Sequence, residues 1–113
     1  MVLIAKHHDG FALWPSEYTD FSVASSPWKN GKGDVVKEFV DACHKNDIRP
    51  GLYYSPAEWG NPKFEDPEAY DEHFINQISE ILSGYGKIDA LWFDECGSEG
   101  HTYNWERITY SRR

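Results

Sequence analysis

The chain is short of sulfur: two cysteines and one methionine in 113 residues. A small domain stapled by disulfides uses cysteine far more densely than this. Cys43 falls among apolar residues at helical spacing and reads as a small core residue, and nothing suggests a bridge to Cys96. Long apolar runs are missing too. None approaches the ~20 residues that cross a bilayer, so no membrane partner is expected. The segment after Met1 reads as a strand and lacks the basic n-region and small-residue cleavage site of a signal peptide. Positive charge is also scarce. Eleven Lys and Arg face 19 Asp and Glu, giving a formal net charge of −8. Nucleic acid is thereby disfavoured as a partner, because its phosphates would be repelled. Low-complexity tracts are absent. What is present is a globular composition, 40% hydrophobic and 16% aromatic, of a length that allows one domain at most.

Three apolar runs stand out. Val2-Leu3-Ile4-Ala5-Lys6 leads into His7-His8-Asp9-Gly10-Phe11, Pro50-Gly51-Leu52-Tyr53-Tyr54 leads into Ser55-Pro56, and Ile88 to Phe93 leads into Asp94-Glu95. Near-continuous apolar runs of this length predict buried strands. Between them lie helical patterns. Val36, Phe39, Val40 and Cys43 recur at helix spacing behind Asp34, a natural N-cap. Tyr70, Phe74, Ile78, Ile81 and Tyr85 form a second stripe, opened by Asp66-Pro67-Glu68 and closed by Gly84 and Gly86. Strand, helix, strand, helix, strand predicts an α/β fold with about three parallel strands and two intervening helices. Right-handed crossovers put all three strand C-termini on one face. His7, His8, Tyr53, Trp92 and Asp94 could then line one site.

Alternatives exist for each of these residues. Asp94 could simply start a turn. Tyr53 and Trp92 could be core filling. His7, His8 and Asp9 could ligate a metal, although adjacent histidines on an extended segment diverge. For the same reason only one of His7 and His8 should face a pocket, leaving the other to bond the next strand end. Trp14, Trp28 and Trp59 fall in loops, as platforms for a ligand or as lids on the core. His44 and His73 are expected on the surface.

The motifs taken together resemble a known family. Lys6-His7-His8-Asp9-Gly10-Phe11, then Leu13-Trp14, Tyr18-Thr19-Asp20, Gly33-Asp34-Val35-Val36, Gly51-Leu52-Tyr53-Tyr54-Ser55 and Leu91-Trp92-Phe93-Asp94 follow the order and spacing of the signature of family 29 α-L-fucosidases. Ser26-Pro27-Trp28-Lys29-Asn30-Gly31-Lys32-Gly33 resembles the branch that prefers α-1,3/1,4-linked fucose. The stretch from Gly97-Ser98-Glu99-Gly100 to Tyr103-Asn104-Trp105-Glu106 resembles it as well.

The resemblance implies that residues 1–113 are part of a catalytic (β/α)8 barrel. It implies a glycosidase that retains anomeric configuration and hydrolyses terminal α-linked L-fucose from oligosaccharides or glycoconjugates, with no cofactor and no metal. Asp94 matches the nucleophile, His7 and His8 a pair that binds fucose hydroxyls, Tyr53 a sugar-contacting tyrosine, and Trp92 an aromatic beside the sugar. The family's general acid/base is a Glu well after the nucleophile. Glu95, Glu99 and Glu106 do not match it, so that role is expected outside this chain. Glu95 also stands where the family usually has glycine. An inactive fucose-binding remnant, or a fragment that does not fold alone, are the alternatives. The resemblance is compatible with a secreted, periplasmic or lysosomal parent protein.

Overall fold

The computed structural model describes residues 1–58 and 66–93. Strands β1 (Val2–Lys6), β2 (Gly51–Tyr54) and β3 (Ala90–Phe93) alternate with helices α1 (Val35–Lys45) and α2 (Pro67–Ser83). The strands form one sheet in the order β1-β2-β3, and both pairings are parallel. This is the α/β arrangement expected from the sequence. β3 begins at Ala90 rather than Ile88, although the Asp89 amide still donates to the Pro50 carbonyl at 2.9 Å.

The register sorts the side chains by face. Leu3, Leu52 and Leu91 stand in one row across the sheet, and Ile4, Tyr53 and Trp92 in the next. Successive residues point to opposite faces. The leucine row packs with the core, where Val36 and Val40 of α1 and Tyr70, Phe74, Ile78 and Ile81 of α2 are buried. On the other face Val2, Ile4 and Trp92 stay exposed. Both helices start where the sequence predicted. Asp34 accepts from the Lys37 amide at 2.9 Å, and Asp66 accepts from the Ala69 amide at 3.4 Å. Asp34 also accepts from the Tyr85 hydroxyl at 2.7 Å, tying the end of α2 to the start of α1. Cys43 is buried on the inner face of α1.

The structure corrects one surface assignment and decides between the two readings of Trp14 in favour of a lid on the core. His73 is not on the surface: it is 4% exposed, because it sits one turn beyond Tyr70 on the inner side of α2. Trp14 is core, 1% exposed, with its indole N–H donating to Glu80 Oε1 at 3.1 Å. Glu80 also accepts from the Ser16 hydroxyl and the Glu17 amide, so one carboxylate fixes the whole turn after Trp14. Trp28 is 40% exposed on a short 3-10 turn.

Candidate functional site

The C-terminal ends of the three strands converge, and a bulge in β1 decides what they present. Ile4 pairs with Tyr53, but Lys6, two residues on, pairs with Tyr54, only one residue on. Ala5 is therefore an extra residue in β1, and the alternation beyond it is reversed. Strict alternation from Leu3 would have sent His7 toward the helices. The bulge turns it to the face of Tyr53 instead. Their rings stack, with centroids 5.6 Å apart and planes 15° from parallel. Tyr53 in turn meets Trp92 edge-on at 5.7 Å. His7, Tyr53 and Trp92 thus form a continuous aromatic row across the strand ends, with Trp92 61% exposed.

His8 lies beside this row, its ring centroid 4.3 Å from that of His7, and is buried. Its Nδ1 is 2.5 Å from Ser55 Oγ, just past the end of β2. Ser55 is anchored twice more: its amide donates to the Lys6 carbonyl at 2.9 Å, and its hydroxyl donates to the Ala57 carbonyl at 2.9 Å.

The reversed alternation also carries Lys6 to the helix face, where it is fully buried. Its ammonium pairs with Glu58 Oε1 at 2.8 Å, reaches the Tyr70 hydroxyl at 3.3 Å and lies 4.1 Å above the centre of the Tyr54 ring. Burial draws the Lys6 ammonium down to about 8, against the pull of Glu58. Burial would push the Glu58 carboxyl up, but the His73 ring, 3.5 Å away, and the Lys6 ammonium outweigh it and hold it at about 2. Glu58 also abuts the histidine turn. Gly10, at φ +85°, closes that turn with its amide on the His7 carbonyl at 3.0 Å, and a Cβ there would fall 2.7 Å from Glu58 Cγ. The ion pair therefore underlies the segment that presents His7 and His8.

Of the residues singled out from sequence, His7, His8, Tyr53 and Trp92 come together. Asp94 lies outside the described residues, as do Trp59, Glu95, Cys96, Glu99 and Glu106. Among the described residues no three His, Cys, Asp or Glu side chains are grouped to hold a metal ion. The contact of His8 with Ser55 is the expected bond from one histidine to the next strand end, whereas sequence reading missed Glu58 and the inward turn of Lys6. A lysine closing an otherwise apolar strand was the available signal for Lys6; Glu58 carried none of its own.

Comparison with known proteins gives consistent results. The family model described as Alpha-L-fucosidase matches residues 1–112. The chain is 46% identical to alpha-L-fucosidase 1 of Arabidopsis thaliana over 100 residues, covering 88% of this chain and 20% of that protein. Among solved structures, a glycoside hydrolase 29 family member from a rumen bacterium superposes with a TM-score of 0.86 at 40% identity, over 97% of this chain and 22% of the other. A Ruminococcus gnavus family 29 fucosidase variant solved in complex with fucose superposes with a TM-score of 0.85 at 28% identity, over 97% of this chain and 26% of the other. The chain spans about one fifth of the length of the Arabidopsis relative.

Proposed function

The chain belongs to the α-L-fucosidase family, and from that premise we propose that it is a section of the catalytic (β/α)8 barrel of a retaining α-L-fucosidase. Residues 1–113 form part of that barrel's catalytic domain. The substrate is a glycan or glycoconjugate carrying terminal α-linked L-fucose, with the α-1,3/1,4 linkage of branched glycans favoured by the Ser26–Gly33 sequence. The observation that carries the reading is the convergence of His7, Tyr53 and Trp92 on one face of parallel strand ends. Barrel enzymes keep their chemistry at that end, because rigid strands aim the side chains while the following loops shape the pocket.

The roles follow from the chemistry of the sugar. His7 and His8 hydrogen-bond fucose hydroxyls, since imidazole can both donate and accept. Tyr53 contacts the sugar from the centre of the row. Trp92 offers an apolar surface to the methyl group of this 6-deoxy sugar. Asp94 follows Trp92 by two positions, the strand repeat, which favours the same face for both. It attacks the anomeric carbon and forms a glycosyl-enzyme. A second carboxyl group protonates the leaving oxygen and then activates the water that releases fucose. We assign that second role to none of this chain's carboxylates and place it elsewhere in the barrel.

The test is release of fucose from an aryl α-L-fucoside and from a Lewis-type fucosylated trisaccharide, with Asp94→Ala alongside. Loss of rate by ~10⁴-fold or more in the variant is expected for removal of a nucleophile, and preference for the trisaccharide supports the linkage. Turnover undiminished in Asp94→Ala would overturn the assignment.

A further inference from the structure

The contacts of Ser55 bear on which ring nitrogen of His8 carries a proton. A hydroxyl carries one hydrogen. The Ala57 carbonyl can only accept, and it lies 2.9 Å from Ser55 Oγ, so the Ser55 hydrogen points there. Ser55 Oγ then has only lone pairs to offer His8. At 2.5 Å, His8 Nδ1 must supply the hydrogen of that contact. Were Nδ1 unprotonated, two lone pairs would face each other at that distance. The serine itself cannot drift, because its amide is held by the Lys6 carbonyl at 2.9 Å and the residue is fully buried.

We infer that Ser55 is a positioning residue that locks His8 in the Nδ1–H tautomer, making Nε2 the lone-pair acceptor for a sugar hydroxyl. A ring nitrogen whose partner nitrogen is hydrogen-bonded has its protonation set by that bond. In the neutral ring Nε2 must then accept, so a group that meets it in a complex has to donate, as an alcohol does and an ether oxygen does not. Among the described residues His7 has no such serine contact. It lies stacked on Tyr53, exposed, so the two adjacent histidines differ in what fixes them. The identity of the ligand rests on the fucosidase reading above; the tautomer does not.

Long-range proton–nitrogen correlation spectra of the ¹⁵N-labelled protein test this, with His8→Gln to assign the ring signals. The expected pattern is a pyrrole-type Nδ1 and a pyridine-type Nε2 at His8. Ser55→Ala should bring in the Nε2–H form, and Ser55→Thr, which keeps a hydroxyl, should restore the original pattern. L-fucose added to the wild type should shift the Nε2 signal, and Ser55→Ala should weaken its binding by about tenfold, the equivalent of one hydrogen bond. A pyridine-type Nδ1 in the wild type overturns the proposal, and that spectrum decides even if Ser55→Ala fails to fold. The expected tautomer with no response to fucose would uphold the role of Ser55 and overturn the sugar as its purpose.

Discussion

Replacing Lys6 with methionine keeps most of the volume of the side chain and removes only its charge. The ammonium it removes is fully buried. With it go the 2.8 Å pair to Glu58, the 3.3 Å contact to the Tyr70 hydroxyl and the charge above the Tyr54 ring. Glu58, whose side chain is 7% exposed, would keep the His73 ring at 3.5 Å as its neighbour. Breaking a buried pair from one side costs about 3–5 kcal/mol, because the surviving charge has lost its partner and cannot recover its water. The low end, about 3 kcal/mol, fits here, since the His73 ring stays beside the carboxylate. With a urea m-value of about 1.5 kcal/mol/M, the unfolding midpoint should fall by roughly 2 M. Removing both charges, in Lys6→Met with Glu58→Leu, should return stability to within about 1 kcal/mol of the wild type. Urea titration followed by far-ultraviolet circular dichroism reads all four members of the cycle. A single-variant cost below about 1 kcal/mol, or a double variant as unstable as the sum of the singles, would refute a mutually neutralising buried pair.

The Glu58 carboxyl, held at about 2 against an ordinary 4.5, contributes stability that is fully present above pH 4.5 and lost as pH falls toward 2. The urea midpoint should decline through that window, and Glu58→Gln should flatten the decline. Gly10→Ala places a Cβ at φ +85°, 2.7 Å from Glu58 Cγ. It should cost about 1–3 kcal/mol from backbone strain alone and weaken fucose binding by calorimetry, whereas unchanged affinity would detach the turn from the site. Phe74→Ala removes a fully buried ring that meets Tyr54 at 5.1 Å and Phe93 at 5.2 Å. A loss of about 3–5 kcal/mol in chemical denaturation is expected.

Much of the fold was legible because its signals are local. The apolar stripe Tyr70, Phe74, Ile78, Ile81 and the caps Asp34 and Asp66 need only neighbouring residues to be read, and they fall where the sequence put them. The β1 bulge was not legible, because it is a mismatch in pairing between two strands that lie far apart in sequence. From it follow the stacking of His7 on Tyr53 and the burial of Lys6. The burial of His73 was missed for a related reason. A histidine on the inner side of a helix looks misplaced until Glu58, fifteen residues earlier, is seen beside it. That one histidine bonds the next strand end was legible from pleat parity, but which of the two does so, His8 to Ser55 across 47 positions, follows only from the bulge. Motif order and spacing supplied the resemblance to the fucosidases, and comparison with known proteins established the family. Neither motif nor spacing carried the hydrogen bonds that support the site.

The most direct measurement is covalent trapping with a 2-deoxy-2-fluoro-L-fucosyl donor that bears an activated leaving group. Its activated leaving group departs without help from a general acid while the sugar stays on the nucleophile, so the nucleophile is tested alone. Mass spectrometry should show one added fluorofucosyl group, mapped to the peptide containing Asp94 and absent from Asp94→Ala. Labelling at another carboxylate, or labelling that persists in Asp94→Ala, would contradict the assignment of the nucleophile to the end of β3.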